Sequence, residues 1–381
     1  MELSAHFSPR GRPSPRWTVT RGGRVVYQDS AQHATLTARV LDIDEEAWRA
    51  VLDRYEPASD RLDEKLLALQ QAIVAALPSD TTMLRPASQL RDSTACPVCG
   101  GATTVALTRR IAGDGGAPIV YSRCAACQHL SLVCGAEPDS TYTRQEYYSA
   151  RAPNGAGYHA YSDERAYREA KGRRIVQWLS GRGSGGRRQL SGRGNGGRRL
   201  LEVGSGFGYT RKAAQDAGWV TGGVDLSAYA SDQARALYGM QTQVGSLAAC
   251  LVDGRIARRS WDLALYQFVI EHISDPLREL RAAAETLVAG GLLALILPSA
   301  DAAEIDIFQG RYRSLRADHL HVFSSRSLEL TLRASGFAIV ESFTTCSVHL
   351  LRGFLDDEAL EDLYRRGRGP DRYLLARKVG G

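Results

Sequence analysis

No stretch of the 381-residue sequence approaches 18 consecutive apolar residues, which excludes a membrane-spanning helix. The opening "MELSAHFSPRGRPSPRW" lacks an apolar core, so no secretory signal is expected. An Arg-rich start suits a transit peptide, but Glu2 and the prolines argue against one. The expected location is the cytoplasm. Acids are missing altogether from residues 179–200. That stretch is a tandem duplication, "LSGRGSGGRRQ" followed by "LSGRGNGGRRL", whose copies differ only at Ser184/Asn195 and Gln189/Leu200. Its six arginines equal the whole net charge of +6, so the rest of the chain is balanced. This excludes a generally basic fold of the kind that coats nucleic acid. Gly and Ser at such density bury no core, so residues 179–199 are expected to be a flexible insertion; a loop touching RNA or phosphate is the other reading.

Hydrophobic residues at 44% allow a sizeable core, and the length suggests two or three domains. Residues 1–92 read as a small α+β module. "RWTVT" and "RVVYQD" flank a Gly turn as a hairpin, and "ATLTARVLDI" looks like a further strand. "DEEAWRAVLDRY" and "RLDEKLLALQQAIVAAL" have apolar residues at helical spacing, with Asp44 placed to cap the first. No chemistry is evident there, and docking of a protein partner is the expected role. Residues 93–145 hold two cysteine pairs. A Tyr-rich stretch with Tyr147, Tyr148, Tyr158, Tyr161 and Tyr167 opens the third part, 146–381. From Leu200 the pattern alternates: "RLLEV", "GWVTGGVDLS", "WDLALYQFV" and "GGLLALILP" read as buried strands with helical segments between. "GFAIVESFTT" and "RYLLARKV" read as two last strands. Such alternation predicts a mostly parallel sheet covered on both faces, an α/β fold.

"EVGSGFG", residues 202–208, follows the first of these strands and opens a helix. Glycines there bring backbone N–H groups close to a ligand at the sheet's carboxyl edge. Gly208 is followed by Tyr209 and Thr210, not Lys-Ser/Thr, which rules out a P-loop. The spacing is GxGxG rather than the GxGxxG of dinucleotide folds. Asp225, at the end of the next strand, is placed to accept ribose hydroxyls. The ExGxGxG form resembles the first motif of class I S-adenosylmethionine (SAM) methyltransferases. "WDLALYQFVIEHISDP", "LVAGGLLALILPS" and "ADHLHVFSSRSLELTLRASGF" are similar to later segments of the same superfamily. The resemblance covers residues 146–381 and implies a Rossmann-like seven-stranded, mostly parallel sheet. It implies SAM as cofactor, held by Glu202, Gly204, Ser205, Gly206, Gly208, Asp225, Leu226, Ser246 and Gln267. Ser246 stands where such enzymes often have an acid that meets the adenine amino group.

"CPVCGG" and "CAACQH" are two knuckles. Four thiolates, from Cys96, Cys99, Cys124 and Cys127, suit a tetrahedral structural Zn²⁺ with no open position. Cys134, Cys250 and Cys346 read as inert thiols. A zinc ribbon ahead of this pattern resembles the sugar C-methyltransferases that act on nucleotide-linked deoxysugars. Their "EHLxxFS" segment is similar to "DHLHVFS" here, which puts Asp318 and His319 in the Glu-His places and Arg316 in the place of a family tyrosine. An oxygen or carbon acceptor needs a base. His319 is the first candidate, with Asp318 fixing its tautomer. His272, supported by Glu271, is the second, and His321 the third.

The expected function is methylation of a small molecule at carbon or oxygen, in specialised metabolism. No membrane is expected as a partner. Two other readings stay open: an RNA methyltransferase, and a SAM-binding scaffold without turnover. The lack of a basic and aromatic patch outside the duplicated loop argues against RNA.

Overall fold

The computed structural model describes residues 2–7, 13–21, 23–30, 41, 43–77, 95–109, 119–134, 140–149, 157–158, 161–181, 197–345 and 350–380. The duplicated copies, apart from their ends, fall outside these residues, as do most of the strand expected over 34–43 and the thiol of Cys346.

The chain opens with three antiparallel strands, β1 (Glu2–Phe7), β2 (Pro13–Arg21) and β3 (Arg24–Ser30). Helix Glu45–Arg54 follows, and Asp44 caps it by accepting from the Ala47 N–H at 2.7 Å. Its Trp48, Val51 and Leu52 pack with Leu69 and Ile73 of helix Leu62–Ala76. That core also takes in Ile307 and Phe308, and Leu360 and Leu363, from two helices far along the chain. The first module is thus docked on the rest through apolar side chains.

β4 (Thr103–Arg109), β5 (Ile119–Cys124) and β6 (Leu130–Cys134) form an antiparallel sheet beside the Cys knuckles. The main sheet is built from β7 (Arg199–Val203), β8 (Val220–Asp225), β9 (Gln243–Val244), β10 (Trp261–Gln267) and β11 (Leu287–Pro298), all parallel. A two-residue strand, β12 (His321–Val322), leaves this part of the chain and joins β6 of the knuckle sheet. β13 (Phe337–Thr345) and β14 (Asp371–Lys378) close the main sheet, and β14 runs antiparallel between β11 and β13. The order is β13-β14-β11-β10-β7-β8-β9.

The apolar runs explain the central position of β10 and β11. Leu263, Ala264, Leu265 and Tyr266, and Leu293 through Leu297, are fully buried, as helices cover both faces. Each large side chain buried this way contributes about 1.5–3 kcal/mol. Chain reversal at the carboxyl edge is set by caps. Ser227 and Asp275 accept from the backbone of the helices they open, and Pro276 follows Asp275 at the first helical position. Ser324 and Ser327 bond reciprocally at the start of helix Ser325–Ala334. The crossing from β7 to β8 also needs room. A Cβ on Gly223 would stand 2.3 Å from the guanidinium of Arg211, which passes there to reach Thr242 and Gln241.

Candidate active site

The carboxyl ends of β7, β8, β9 and β10 open into a cavity of about 280 Å³. Its floor is the turn after β7. Gly204 and Gly206 have φ of 67° and 51°, where glycine is favoured, and a Cβ on Gly204 would stand 2.3 Å from Val269. Asp225, at the end of β8, accepts from the Gly206 N–H at 2.7 Å through one oxygen and from the Ser227 N–H at 2.8 Å through the other. Burial pushes its carboxyl up from the usual range. Glu202 is buried, its carboxyl pushed up to about 8 by desolvation, and one of its oxygens has no hydrogen-bond partner. The Ser205 hydroxyl is likewise buried and unpartnered.

The structure brings Glu202, Gly204, Ser205, Gly206, Asp225, Leu226, Ser246 and Gln267 to this one cavity. Ser246 also caps helix Leu247–Val252, and Gln267 accepts from the Thr210 hydroxyl at 2.9 Å. Gly208 is not among the residues lining this cavity; at φ 81° it opens helix Tyr209–Asp216, and a Cβ there would stand 3.2 Å from the Met240 sulfur.

Opposite the glycine turn stands an aromatic wall of Tyr142, Tyr147, Tyr148, Tyr158 and Tyr161. These rings pack edge to face on one another, and Tyr148 and Tyr161 also pack on Phe207. His272 completes that side, in the short turn Ile270–His272 after β10. Its Nδ1 donates to the Asp318 carbonyl at 2.6 Å, and Tyr142 donates to the same carbonyl at 3.0 Å. His319 is behind His272, ring centroids 4.7 Å apart, and off the cavity wall. Burial holds both imidazoles below the usual range, so both are neutral at pH 7. A carboxylate oxygen of Glu271 and a ring nitrogen from each histidine lie within 4.8 Å of one another. Both Glu271 oxygens are without a hydrogen-bond partner, and burial pushes the carboxyl up to about 8.

The expected Asp318–His319 pair does not form. Arg316 takes both Asp318 oxygens at 2.8 Å, and Asp318 is held well below the usual range by that charge despite its burial. His319 instead donates from Nδ1 to the Ser314 carbonyl at 2.9 Å. The rigid guanidinium fork two residues away outcompetes the imidazole for the carboxylate. His321, the third candidate, is also elsewhere. It lies in β12, 3.1 Å from the ring of His129 and off the cavity wall.

Residues 175–342, from the last turns of the helix before β7 to the middle of β13, match the family model described as a methyltransferase domain. Over those residues the chain is similar to methyltransferase domains. No curated protein matches it. Solved structures similar to the chain include a SAM-dependent methyltransferase from Archaeoglobus fulgidus, 16% identical over 56% of this chain and 94% of that one, TM-score 0.40. A possible histamine N-methyltransferase from Thermotoga maritima is 19% identical over 56% of this chain and 90% of that one, TM-score 0.40. The CurJ carbon methyltransferase is 14% identical over 61% of each chain, TM-score 0.42.

The four knuckle cysteines converge. Cys96 and Cys127 sulfurs are 3.6 Å apart, Cys99 and Cys124 sulfurs 3.5 Å, and all four lie within 4.8 Å. Four sulfurs at the ~2.3 Å Zn–S distance stand roughly 3.8 Å apart in a tetrahedron, so the set fits zinc. The knuckles are tied to the main sheet. Ser324 donates to the Cys127 carbonyl at 2.5 Å. From β5, the Tyr121 hydroxyl lies 2.8 Å from the Arg316 carbonyl and 2.6 Å from that of His319. Cys250 is a free buried thiol.

Sequence reasoning missed Tyr142, Arg168, Lys171 and Thr210 on the cavity wall. Helix Arg165–Leu179 carried a signal. Arg168, Lys171, Gly172, Ile175, Val176 and Leu179 recur at helical spacing, and Gly172 would meet the Thr210 backbone at 3.0 Å if it had a Cβ.

Proposed function

We propose that this methyltransferase transfers a methyl group from SAM to carbon or oxygen of a small molecule, bound under the tyrosine wall. The observation that carries the reading is one cavity joining Asp225 and the glycine turn to His272. Its volume of about 280 Å³ lies at the lower edge of the range of small-molecule sites. Unpartnered buried acceptors on Glu202 and Ser205, and spare lone pairs on Asp225, fit a cofactor with ribose hydroxyls and an amino group. When bound, SAM supplies a methyl group already activated for in-line displacement.

The chain's own residues then have four tasks. Asp225 holds the ribose, and Gly204 and Gly206 allow close approach of the backbone. Ser246 faces the adenine end. The tyrosines exclude water and orient the acceptor. His272, neutral and on the wall, takes the acceptor proton, and His319 packs behind it as a positioning residue; in this reading the two exchange the order expected for them. The Asp318 carbonyl fixes the His272 tautomer, in place of the expected carboxylate pairing with His319. Zinc on the four cysteines has a structural role, because Tyr121 carries the geometry of the knuckle sheet to the 316–319 segment. In this reading the chain has three parts, 1–92, 93–145 and 146–381, and the first takes a protein partner.

Incubation with SAM labelled in its methyl group and a panel of hydroxylated and enolisable small molecules tests this. The reading expects label in a small-molecule product and loss of turnover in His272→Ala. Label appearing only in RNA, or none with any acceptor, would overturn it.

A further inference from the structure

The cavity wall carries a cation that, among the described residues, no carboxylate pairs with directly. Lys171, half-buried on helix Arg165–Leu179, has its Nζ 4.3 Å from the centre of the Phe268 ring. Among the described residues no carboxylate lies within ion-pair distance of it. Asp371, which acts on it through space, is taken by Arg313 at 2.5 Å. Arg168, one turn earlier on the same face, differs. It is paired with Glu164 at 2.5 Å and stacked 3.7 Å from the Tyr161 ring centre. Phe268 itself holds a φ of 54°, a strained value for a non-glycine residue.

An ammonium taken from water onto an aromatic face gains only part of what it lost. Burial pulls its pKa down to about 8. A carboxylate arriving in the cavity would restore the balance. The position is informative too. Phe268 follows β10, and Ser246 follows β9, three strand spacings away across β10-β7-β8-β9. That is roughly 14 Å at 4.8 Å per strand. An adenosyl amino acid laid along the edge, with its nucleoside at Asp225 and Ser246, puts its amino-acid end by Lys171.

We infer that Lys171 is a carboxylate-binding subsite, and that the carboxylate is the one at the amino-acid end of the methyl donor. The assignment rests on the reading of the cavity as a SAM site. A carboxylate on the acceptor is the other source of the same chemistry.

Calorimetric titration of the full chain and of Lys171→Met and Lys171→Arg separates these. Two probes serve: S-adenosylhomocysteine, which has the carboxylate, and 5′-methylthioadenosine, which lacks it. Lys171→Met should weaken the first about 10- to 100-fold and leave the second within twofold, with Lys171→Arg recovering part of the loss. Unchanged nucleoside binding, with saturable benzoate binding to the S-adenosylhomocysteine complex lost in Lys171→Met, would keep the subsite and overturn its assignment to the donor. Equal affinities throughout, with no benzoate binding, would overturn the subsite. Wild-type protein that binds neither nucleoside would bring down the SAM reading, and the donor assignment with it.

Discussion

Arg316 holds Asp318 by both carboxylate oxygens, at 2.8 Å each, and keeps it from His319. The pair is internal, with Asp318 fully buried. Removing one partner leaves the other charge stranded. Asp318→Asn should therefore cost about 3–5 kcal/mol of stability, read by urea unfolding. Turnover of the folded fraction should change less than tenfold, because His272 bonds to the Asp318 backbone and not to its carboxylate. His272→Ala should instead lower turnover roughly 10²–10⁴-fold with SAM affinity unchanged. A large fall in turnover for the folded Asp318→Asn protein, with an active His272→Ala, would reverse these roles.

The knuckle cysteines are expected to hold one zinc per chain, read by elemental analysis of purified protein. Cys96→Ser or Cys124→Ser should lose the metal and lower the melting temperature. Tyr121→Phe should keep the metal, cost roughly 1–3 kcal/mol of stability, and reduce turnover by loosening the segment that carries His319. A metal-free chain of full stability would end the structural-zinc proposal.

Burial holds Glu271 and Glu202 at about 8 and Glu304 at about 7. All three lie above the unfolded value of about 4.3. The folded chain therefore keeps protons that the unfolded chain has released. The stability tied to them is complete below the unfolded value and is lost as pH rises through 7 to 8. Glu271→Gln removes one such group. Its melting temperature should fall less between pH 5 and pH 8 than that of the wild type. Parallel profiles would show that Glu271 is ionised in the folded chain.

The main sheet was legible because its central strands are mostly apolar runs between caps. Leu263–Tyr266 and Leu292–Leu297 admit little but burial on both faces. Gly204 and Asp225 were legible for the same reason, since their spacing is that of two adjacent strand ends. Side-chain competition was not. Nothing in "RADHL" tells that Arg316 wins Asp318 from His319, because the outcome depends on where Ser314 brings its carbonyl. β12 was also hidden. Two residues have no period, and their pairing with β6 spans about half of the chain. The shared core of Trp48, Leu52 and Phe308 is tertiary, and the helical spacing of Glu45–Arg54 shows an apolar face without naming its partner.

The central claim is that the cavity under the glycine turn takes SAM through Asp225. Calorimetric titration of SAM into wild type and Asp225→Ala tests it most directly. Saturable one-site binding is expected for the wild type, weakened by about 1.5–3 kcal/mol in the variant and not competed by nicotinamide dinucleotides. Equal affinity in the two proteins, no binding to either, or displacement of SAM by a nicotinamide dinucleotide would contradict it.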